Sequence, residues 1–373
     1  MMNKSNRITF SLLFFFLISF GQQKDTIYGK VKSVREQLNF LDKDRQNMKL
    51  FSTEGDYGHY GFSSARFTKS RFHNWWYNTP FVHYSNYYKE FNKKGKPTFE
   101  IWFYKDGDTV TTYKYKYDKK DNLIQEKDIY EVDDYTCRNY TYDYKNKVRS
   151  TIYYASDDPN LYSYTAYIRD SLSNLIEIKR FDEDRELASW KYKYDSKSRK
   201  ISKSIHKPYV YIKKGRSTTS RRDSIGLNKI CEKHFYDTND NLLETHYYNY
   251  DTSDNLPAKL SRKVKNIYNN GLLEKVVNIR DTINSFREYK YNEQNRKIKE
   301  TVISTKYPDN NRSSEYLYDK NGNIIKLIYT EKNKPVVVEF KYKFDKQNNW
   351  TKQIKSVNGE KLFVWTREIE YYE

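Results

Sequence analysis

The chain contains only two cysteines, Cys137 and Cys231, among its 373 residues. This excludes the disulfide framework that stabilises many small secreted domains, and an oxidising compartment could form at most one disulfide. Apolar residues other than tyrosine are scarce, since Leu, Ile, Val and Phe make up roughly a fifth of the chain, near the level at which a highly charged chain is disordered. Beyond the N-terminal segment, no apolar run reaches the ~20 residues of a membrane-spanning helix. Helical periodicity is also absent, so a helical fold is not expected.

The first residues predict a signal peptide. Lys4 and Arg7 precede an apolar run at 8–20, which is followed by Gly21 and a polar stretch. Because this run is too short to span a bilayer as a helix, we expect a signal peptide at 1–21 that is cleaved after Gly21. The segment has no cysteine, which argues against the lipid-anchored form of export. The mature protein, without a transmembrane segment, is expected in the periplasm, at the cell surface or secreted.

Acidic residues are outnumbered by basic ones, 49 to 68, which gives a formal net charge of +19. A positive protein attracts acidic partners: nucleic acid, anionic lipid headgroups or acidic polysaccharide. Export argues against intracellular nucleic acid, so the expected partner is an acidic polysaccharide or another envelope component. The alternative is that the lysines and arginines only solvate the faces of strands.

Tyrosine supplies the aromatic surface, with 39 Tyr beside 20 Phe and 6 Trp. The pattern aromatic-x-aromatic-Asp recurs roughly every 26 residues through much of the chain, as at 115–118 and 316–319. We call the Asp or Asn of each copy its marker. The ten markers are Asn92, Asp118, Asp143, Asp170, Asp195, Asp237, Asn269, Asn292, Asp319 and Asp345.

Each marker is expected to begin a turn. Three residues after it stands a turn-forming residue, at the position where a type I turn with a bulge requires the left-handed conformation. These residues are Gly95, Asp121, Asn146, Ser173, Ser198, Asp240, Asn295, Gly322 and Asn348. The Asn269 copy shortens the turn to Asn270-Gly271, a tight hairpin signal. Period-two runs flank the turns, as in Tyr113 to Tyr117, where tyrosines fall on one strand face and lysines on the other.

These patterns predict an all-β fold of tandem antiparallel β-hairpin repeats. The hairpins are expected to pair into a curved or coiled sheet that can close into a barrel-like shell, with tyrosines inward and charges outward. The predicted domains are the signal peptide, an N-terminal aromatic-rich capping segment at 22–87, and a hairpin array at 88–373. An outer-membrane porin is disfavoured, because its lipid-facing aromatics are confined to girdles whereas tyrosine runs the length of these strands.

The markers resemble the YD repeats of the RHS family, whose units contain tyrosine-aspartate, a spacer and glycine-asparagine. The segment 319–323, Asp-Lys-Asn-Gly-Asn, is the copy most similar to that pattern, and the resemblance covers residues 88 to about 370. In that family the hairpins coil into a large shell that sometimes encloses a toxic C-terminal domain. The resemblance therefore implies a shell-like fold. Residues 365–373 are expected to form a closing strand instead of a cargo domain, so toxin delivery is not expected.

Two segments depart from the repeat and are candidate ligand-binding regions. Trp75-Trp76-Tyr77 lies in the capping segment, where an atypical end unit and a ligand platform are alternative interpretations. Residues 207–223 form an insertion, expected to be a solvated loop or an anion-binding loop. The basic residues of this insertion are Lys207, Lys213, Lys214, Arg216, Arg221 and Arg222.

Catalytic residues, metals and cofactors have no support in the sequence. The six histidines lack metal-ligand spacing. The segments beginning at Asp237 and Asp319 resemble calcium loops only in their first residues, because the glycine and glutamate that such loops need are missing. We therefore predict an exported, non-enzymatic scaffold or binding protein of the cell envelope, with an acidic glycan as a candidate ligand. The alternatives are a glycan or peptide hydrolase with carboxylates on a concave face, and a shell for a separately encoded cargo.

Overall fold

The computed structural model describes residues 27–41, 76–82, 85–104, 107–158, 162–183, 185–214, 217–249, 258–280, 283–331 and 334–373. Within these ranges, side chains are described except at 207–227 and 281–284. The predicted signal peptide lies outside the described residues and stays a prediction.

Alternating aromatic and polar residues form 22 β-strands in the described part of the chain. In chain order the strands are β1 (Val31–Phe40), β2 (Asn86–Phe91), β3 (Pro97–Phe103), β4 (Thr109–Tyr117), β5 (Leu123–Ile129), β6 (Tyr135–Tyr142), β7 (Val148–Ala155), β8 (Tyr162–Arg169), β9 (Leu175–Asp182), β10 (Arg185–Tyr194), β11 (Lys200–Lys214), β12 (Ser217–Tyr236), β13 (Leu242–Asn249), β14 (Lys259–Asn269), β15 (Leu272–Arg280), β16 (Ile283–Tyr291), β17 (Lys297–Ser304), β18 (Arg312–Tyr318), β19 (Ile324–Glu331), β20 (Lys334–Phe344), β21 (Trp350–Val357) and β22 (Glu360–Tyr371). A 3-10 turn at Pro308–Asn310 lies between β17 and β18.

The strands form one closed antiparallel barrel. Each strand pairs with the next along the chain, and β1 pairs with both β2 and β22, with Glu36 opposite Tyr87 on one side and opposite Arg367 on the other. The ten predicted hairpins supply β2 to β21, and the closing pair joins β1, from the predicted capping segment, to β22, at the end of the array. The all-β hairpin fold is confirmed, and the sheet closes.

The predicted turns are confirmed at the backbone. All nine residues expected in the left-handed conformation have positive φ, from 57° at Asn146 to 90° at Gly322. Asn270 and Gly271 both have positive φ, as a two-residue type I′ hairpin requires. In a typical unit the Asp118 carboxylate accepts hydrogen bonds from the backbone N–H groups of Lys120 and Asn122. The marker therefore stabilises the turn, because its side chain accepts hydrogen bonds from two backbone N–H groups.

A tyrosine hydroxyl ties most hairpins to the preceding one. In seven units the tyrosine just before the marker donates to the carbonyl at or next to the start of the second strand of the preceding hairpin. These bonds join Tyr117 to Pro97, Tyr142 to Leu123, Tyr194 to Leu175, Tyr236 to Lys200, Tyr268 to Leu242, Tyr291 to Leu273, and Tyr318 to Lys297. Phe344 lacks a hydroxyl, and in that unit Tyr342 makes the bond to Ile324 instead.

Directly opposed residues of antiparallel strands share a face, so the register defines two faces of the wall. In β4 the two faces alternate along the strand: Tyr113 and Tyr115 lie on the tyrosine face, and Lys114 and Lys116 lie on the lysine face. At the turn, the N–H of Asp118 donates to the Asn122 carbonyl, so the even-numbered residues of β4 direct their peptide groups toward β5.

The strand tilt then identifies the concave face. A row of directly opposed residues crosses the wall from Tyr87 through Trp102 and Thr111. On β5 this row passes beyond the last residue, Ile129, so successive strands are shifted along their length and the row approaches the end of the barrel where one hairpin connects to the next. Strands in a barrel coil around its axis in the right-handed sense. Given that handedness, the direction of this shift and the chirality of L-residues place the side chains of the tyrosine face on the side of the wall that faces the barrel axis.

The barrel is too wide for its wall side chains to fill. Twenty-two strands about 4.8 Å apart give a circumference of roughly 105 Å, whereas about eight strands make an interior that side chains just fill. Strands β8 and β17 contain no buried residue in the described structure. Opposite walls therefore do not press together as in a sandwich, which would bury alternate residues of every strand.

The main core lies where residues 76–82 cover the tyrosine face near the closing strands. Trp76 is fully buried and contacts Trp365 edge-on, with ring centroids 5.5 Å apart. Leu38, Leu327 and Phe363 are also fully buried in this cluster. A smaller cluster around Tyr87 and Trp102 lies on β2 to β4.

Three sequence expectations need correction or completion. The insertion 207–223 is not a loop, because β11 and β12 continue as paired strands to Lys214 opposite Ser217; its threonines and β-branched residues favour strands. Charges do not all point outward, because Glu36, Lys355 and Arg367 are buried on the tyrosine face. Cys137 and Cys231 are both free thiols, on β6 and β12.

Candidate binding site

A pocket of about 590 Å³ opens on the tyrosine face across β10 to β15. Its lining combines aromatic rings with a majority of cationic over anionic groups. The lining residues are Trp190, Lys203, Cys231, Glu232, Tyr247, Tyr248, Asn249, Ser261, Arg262 and Arg280.

The strand register assembles the floor of this pocket. Lys203 of β11 lies opposite Glu232 of β12, Glu232 lies opposite Tyr247 of β13, and Tyr247 lies opposite Arg262 of β14. One row of side chains thus crosses four adjacent strands. Trp190 of β10 belongs to the same face, since it lies opposite Ile205, two residues from Lys203.

Glu232 is neutralised by its neighbours. Its carboxylate is 3.6 Å from the Lys203 ammonium, 3.7 Å from Lys200 and 3.3 Å from the imidazole of His234. Burial, followed by the positive charge of Lys200, lowers the pKa of His234 below its ordinary value. The imidazole is therefore neutral at pH 7, and the lysines balance the carboxylate.

The two arginines of the pocket carry charge that no carboxylate of the described chain offsets. Arg262 lies over the ring of Tyr247, with its guanidinium carbon 4.1 Å from the ring centroid, and Arg280 is exposed. Neither makes an ion pair with another residue that the structure describes. An arginine positioned over an aromatic ring still has N–H donors that can bind an incoming carboxylate or sulfate.

The described lining of the pocket does not contain the pair of carboxylates that a glycosidase uses. Glycosidases need two carboxyl groups flanking the scissile bond, and Glu232 is the only carboxylate among the described lining residues. Elsewhere on this face, Glu100 accepts hydrogen bonds from Trp102 and Tyr115 and pairs with Lys89 at 2.8 Å. Its oxygens are thus engaged in holding the wall together.

Two residues of the predicted aromatic platform lie in the core. Trp76 donates to the side-chain oxygen of Gln353 at 2.7 Å, and the Tyr77 hydroxyl donates to the same oxygen at 3.1 Å. Tyr77 is only 5% exposed and Trp76 is 0% exposed, so neither ring offers a free face to a ligand. Trp75 lies outside the described residues.

The predicted basic residues lie on the β11–β12 hairpin. Lys213 and Lys214 end β11, while Arg221 and Arg222 lie in β12 opposite Val210 and Tyr209. Their side chains and the whole of Arg216 lie outside the described parts, so their role in binding stays a prediction.

Sequence reasoning missed the pocket itself. Lys203, Glu232, Arg262 and Arg280 come from four strands that are distant along the chain. The available signal was local: Arg262 and Lys203 occupy the strand phase that tyrosine occupies elsewhere. A charged residue in that phase faces the concave side of the sheet.

The described residues offer neither a metal site nor a membrane-spanning helix. No group of three or more histidine, cysteine or carboxylate side chains could hold a metal ion there. Nor does that part of the chain contain a helix with the length and apolar character needed to cross a membrane.

No protein-family model and no curated protein matches the chain. Among solved structures, it is similar to a chain of the Photorhabdus luminescens Tc holotoxin pore, with 11% identity and a TM-score of 0.24 over 80% of this chain and 20% of that one. A TcdB2-TccC3 structure gives 8% identity and a TM-score of 0.21, covering 78% and 23%. The chain thus spans about a fifth of those toxin chains.

A porin-like protein from Bacteroides uniformis is similar over 91% of this chain and 96% of its own, with 10% identity and a TM-score of 0.27. At such low TM-scores, the function has to be argued from the residues of this chain.

Proposed function

We propose that this protein is an exported, non-enzymatic barrel scaffold of the YD-repeat type that binds an acidic polysaccharide on its tyrosine face. The observation that carries the proposal is the pocket on β10 to β15, where Arg262 lies over the ring of Tyr247 and neither Arg262 nor Arg280 has a carboxylate partner in the described structure. The resemblance of the markers to YD repeats supports the scaffold role.

The chemistry of the pocket favours an acidic sugar over other anions. Arginine binds carboxylate and sulfate groups through two parallel N–H donors. Trp190 and Tyr247 provide ring surfaces for the less polar parts of a ligand. A ligand with both an anionic group and an extended apolar ring face uses both features, whereas a simple inorganic anion uses only the arginines.

The test is binding of the mature chain, from Gln22 onward, to polygalacturonate and to a neutral glucan of similar length at two salt concentrations. We expect salt-sensitive binding to the acidic polymer only. The double variant Arg262→Gln/Arg280→Gln should lose at least tenfold in affinity. The matched control Lys116→Gln/Lys193→Gln removes the same charge from exposed positions of the lysine face and should retain binding.

Equal losses in the two variants would show that only net charge matters and would overturn the pocket assignment. Release of new reducing ends during incubation would instead favour the hydrolase alternative. Absence of any binding to acidic polymers would remove the proposal.

A shell for a separately encoded cargo is the second candidate, favoured by the closed wall of 22 strands. It predicts that a protein expressed from the same genetic neighbourhood copurifies in a fixed ratio and resists protease while enclosed. Complete digestion of that protein beside the intact barrel would contradict it.

A further inference from the structure

We propose that the pocket is one part of a longer cationic track, so that the ligand is an extended polyanion and not a single acidic residue. This inference rests on the proposed function above. The track consists of Arg262 and Arg280 in the pocket, followed by Arg287 and Arg312 outside it.

The register places all four arginines on the tyrosine face. Arg287 of β16 lies opposite Val276 of β15, four residues from Arg280 and in the same strand phase. Arg287 also lies opposite Val302 of β17, which lies opposite Arg312 of β18. The track therefore extends over five strands, β14 to β18, without changing face.

The spacing suits a polymer. Four residues along a strand separate the levels of Arg280 and Arg287 by about 13 Å, and two strand spacings separate Arg287 from Arg312 by roughly 10 Å. A single sugar held at Arg262 and Arg280 cannot reach either of the outer arginines. A chain carrying an anion at regular intervals can contact all four.

The outer arginines are accessible. Arg287 has 46% of its side chain exposed and shares Glu300, at 3.3 Å, with Lys297. Arg312 is exposed and makes no ion pair with another residue in the described structure. One carboxylate thus faces two cations at Glu300, which leaves this part of the track positive.

The lysine face of the same strands is partly balanced by acids. Some of its lysines pair with glutamates on the neighbouring strand, as in Lys275 with Glu288 at 2.7 Å and Lys299 with Glu315 at 2.7 Å. A further cross-strand pair joins Lys265 of β14 to Glu244 of β13, and beyond the track Lys326 of β19 pairs with Glu339 of β20. Lys263 and Lys290 of this face make no ion pair in the described structure, but three lysines of β14 to β17 do, whereas Arg287 is the one track arginine with an acidic partner there.

The experiment compares a galacturonate dimer with a long galacturonate oligomer. The wild-type chain should bind the long oligomer at least tenfold more tightly. Arg287→Gln/Arg312→Gln should remove most of this gain while leaving dimer affinity unchanged. The control Lys275→Gln/Lys299→Gln, which removes two cations from the lysine face of neighbouring strands, should keep the gain, and thermal unfolding of each variant checks that the fold is retained.

The outcomes separate the two proposals. If dimer and long oligomer bind equally, or if the outer variant keeps the length dependence, the track is overturned while the pocket stands. If Arg262→Gln/Arg280→Gln changes neither affinity, the proposed function itself fails. If the lysine-face control loses as much as the outer variant, the length dependence is a nonspecific charge effect and the track is overturned.

Discussion

The hydroxyl of Tyr291 donates a hydrogen bond to the carbonyl oxygen of Leu273, with the two oxygens 2.8 Å apart. Burial, followed by the neighbouring Tyr289 and Glu300, raises the pKa of Tyr291 to about 12, so the hydroxyl keeps its proton and remains a donor over the physiological range. The equivalent tyrosines of other units make the same bond. Each links one hairpin to the preceding one at the edge of the barrel where the turns lie.

Removing this hydroxyl should weaken the barrel by the amount of one hydrogen bond. Tyr291→Phe keeps the ring and loses the bond, so we expect a loss of about 1 kcal/mol in the free energy of unfolding. Tyr318→Phe should behave alike, because its hydroxyl bonds Lys297. Urea unfolding measures both changes. Tyr144→Phe is the control, since Tyr144 is 84% exposed, and a comparable loss there would contradict the role of the bond.

The marker aspartates should make stability depend on acid pH. Hydrogen bonds, first from the side chain of Asn122, lower the pKa of Asp118 in the folded state, and those from Asn241 do the same for Asp237. A depressed folded pKa gives stability that is present above the ordinary pKa of 3.8 and is lost as the pH falls through the folded value. We therefore expect the melting temperature to fall steeply below about pH 4.

Asparagine at the marker tests this cause. Asn92 and Asn292 already accept the same backbone hydrogen bonds through their amide oxygens. Asp118→Asn/Asp237→Asn should lower the melting temperature at pH 7, through loss of the side-chain bonds, and should flatten its dependence on acid. An unchanged acid profile would assign the acid sensitivity to other carboxylates.

The ion pair between Glu36 and Arg367 should be costly to break on one side. Both side chains are completely buried, with the guanidinium 2.8 Å from the carboxylate, and they join the first strand to the last. Arg367→Leu leaves a buried charge, so we expect a loss of about 3–5 kcal/mol in the free energy of unfolding. The double variant Glu36→Leu/Arg367→Met should recover most of it. Chemical unfolding of both variants supplies the values.

An exposed ion pair on the same two strands is the matched control. Lys32 and Glu370 are 3.3 Å apart with more than half of each side chain exposed. Lys32→Ala should cost less than about 1 kcal/mol. Similar losses from Lys32→Ala and Arg367→Leu would show that burial does not govern the strength of the closing pair.

Lys355 should destabilise the protein at neutral pH. Its side chain is fully buried, with the ammonium 2.9 Å from the Phe81 carbonyl and 5.0 Å from the ring centroid of Trp76. Burial lowers its pKa well below the ordinary 10.5, so the unfolded chain binds the proton more tightly. Stability should therefore rise with pH until about 10.5 is reached.

The variant Lys355→Met keeps much of the volume and removes the charge. It should be more stable than the wild type at pH 7, and its stability should change less between pH 7 and pH 9.5. Unfolding in urea at the two pH values measures this. If the variant is less stable at both values, the bond to the Phe81 carbonyl outweighs the cost of burying the amine.

The local part of the fold could be predicted from sequence because it depends on neighbouring residues. Asp121 and Ser173 stand where the turn requires positive φ, and Asn270-Gly271 is a two-residue hairpin signal. Each of these features is encoded within about five residues of its marker. The hairpins and their order along the sheet follow from such local signals.

Closure and the binding site depend on distant residues and could not be predicted in this way. Leu38 lies opposite Trp365, at the other end of the array, and no short pattern encodes that pairing. Trp76 was a candidate platform because its ring is large, but packing against Trp365 and Gln353 buries it. The pocket needs the register of several strands, which periodicity alone does not supply.

The pairing of β1 with β22 restricts how such an array can change in size. In a meander whose first strand lies antiparallel to its last, the number of strands must be even. Gain or loss of one whole repeat adds or removes two strands, so it alters the circumference and preserves the direction of every pairing. Loss of a single strand would force two parallel neighbours together at the seam. Repeat duplication is thus a route by which the diameter of this barrel can vary while its closure is kept.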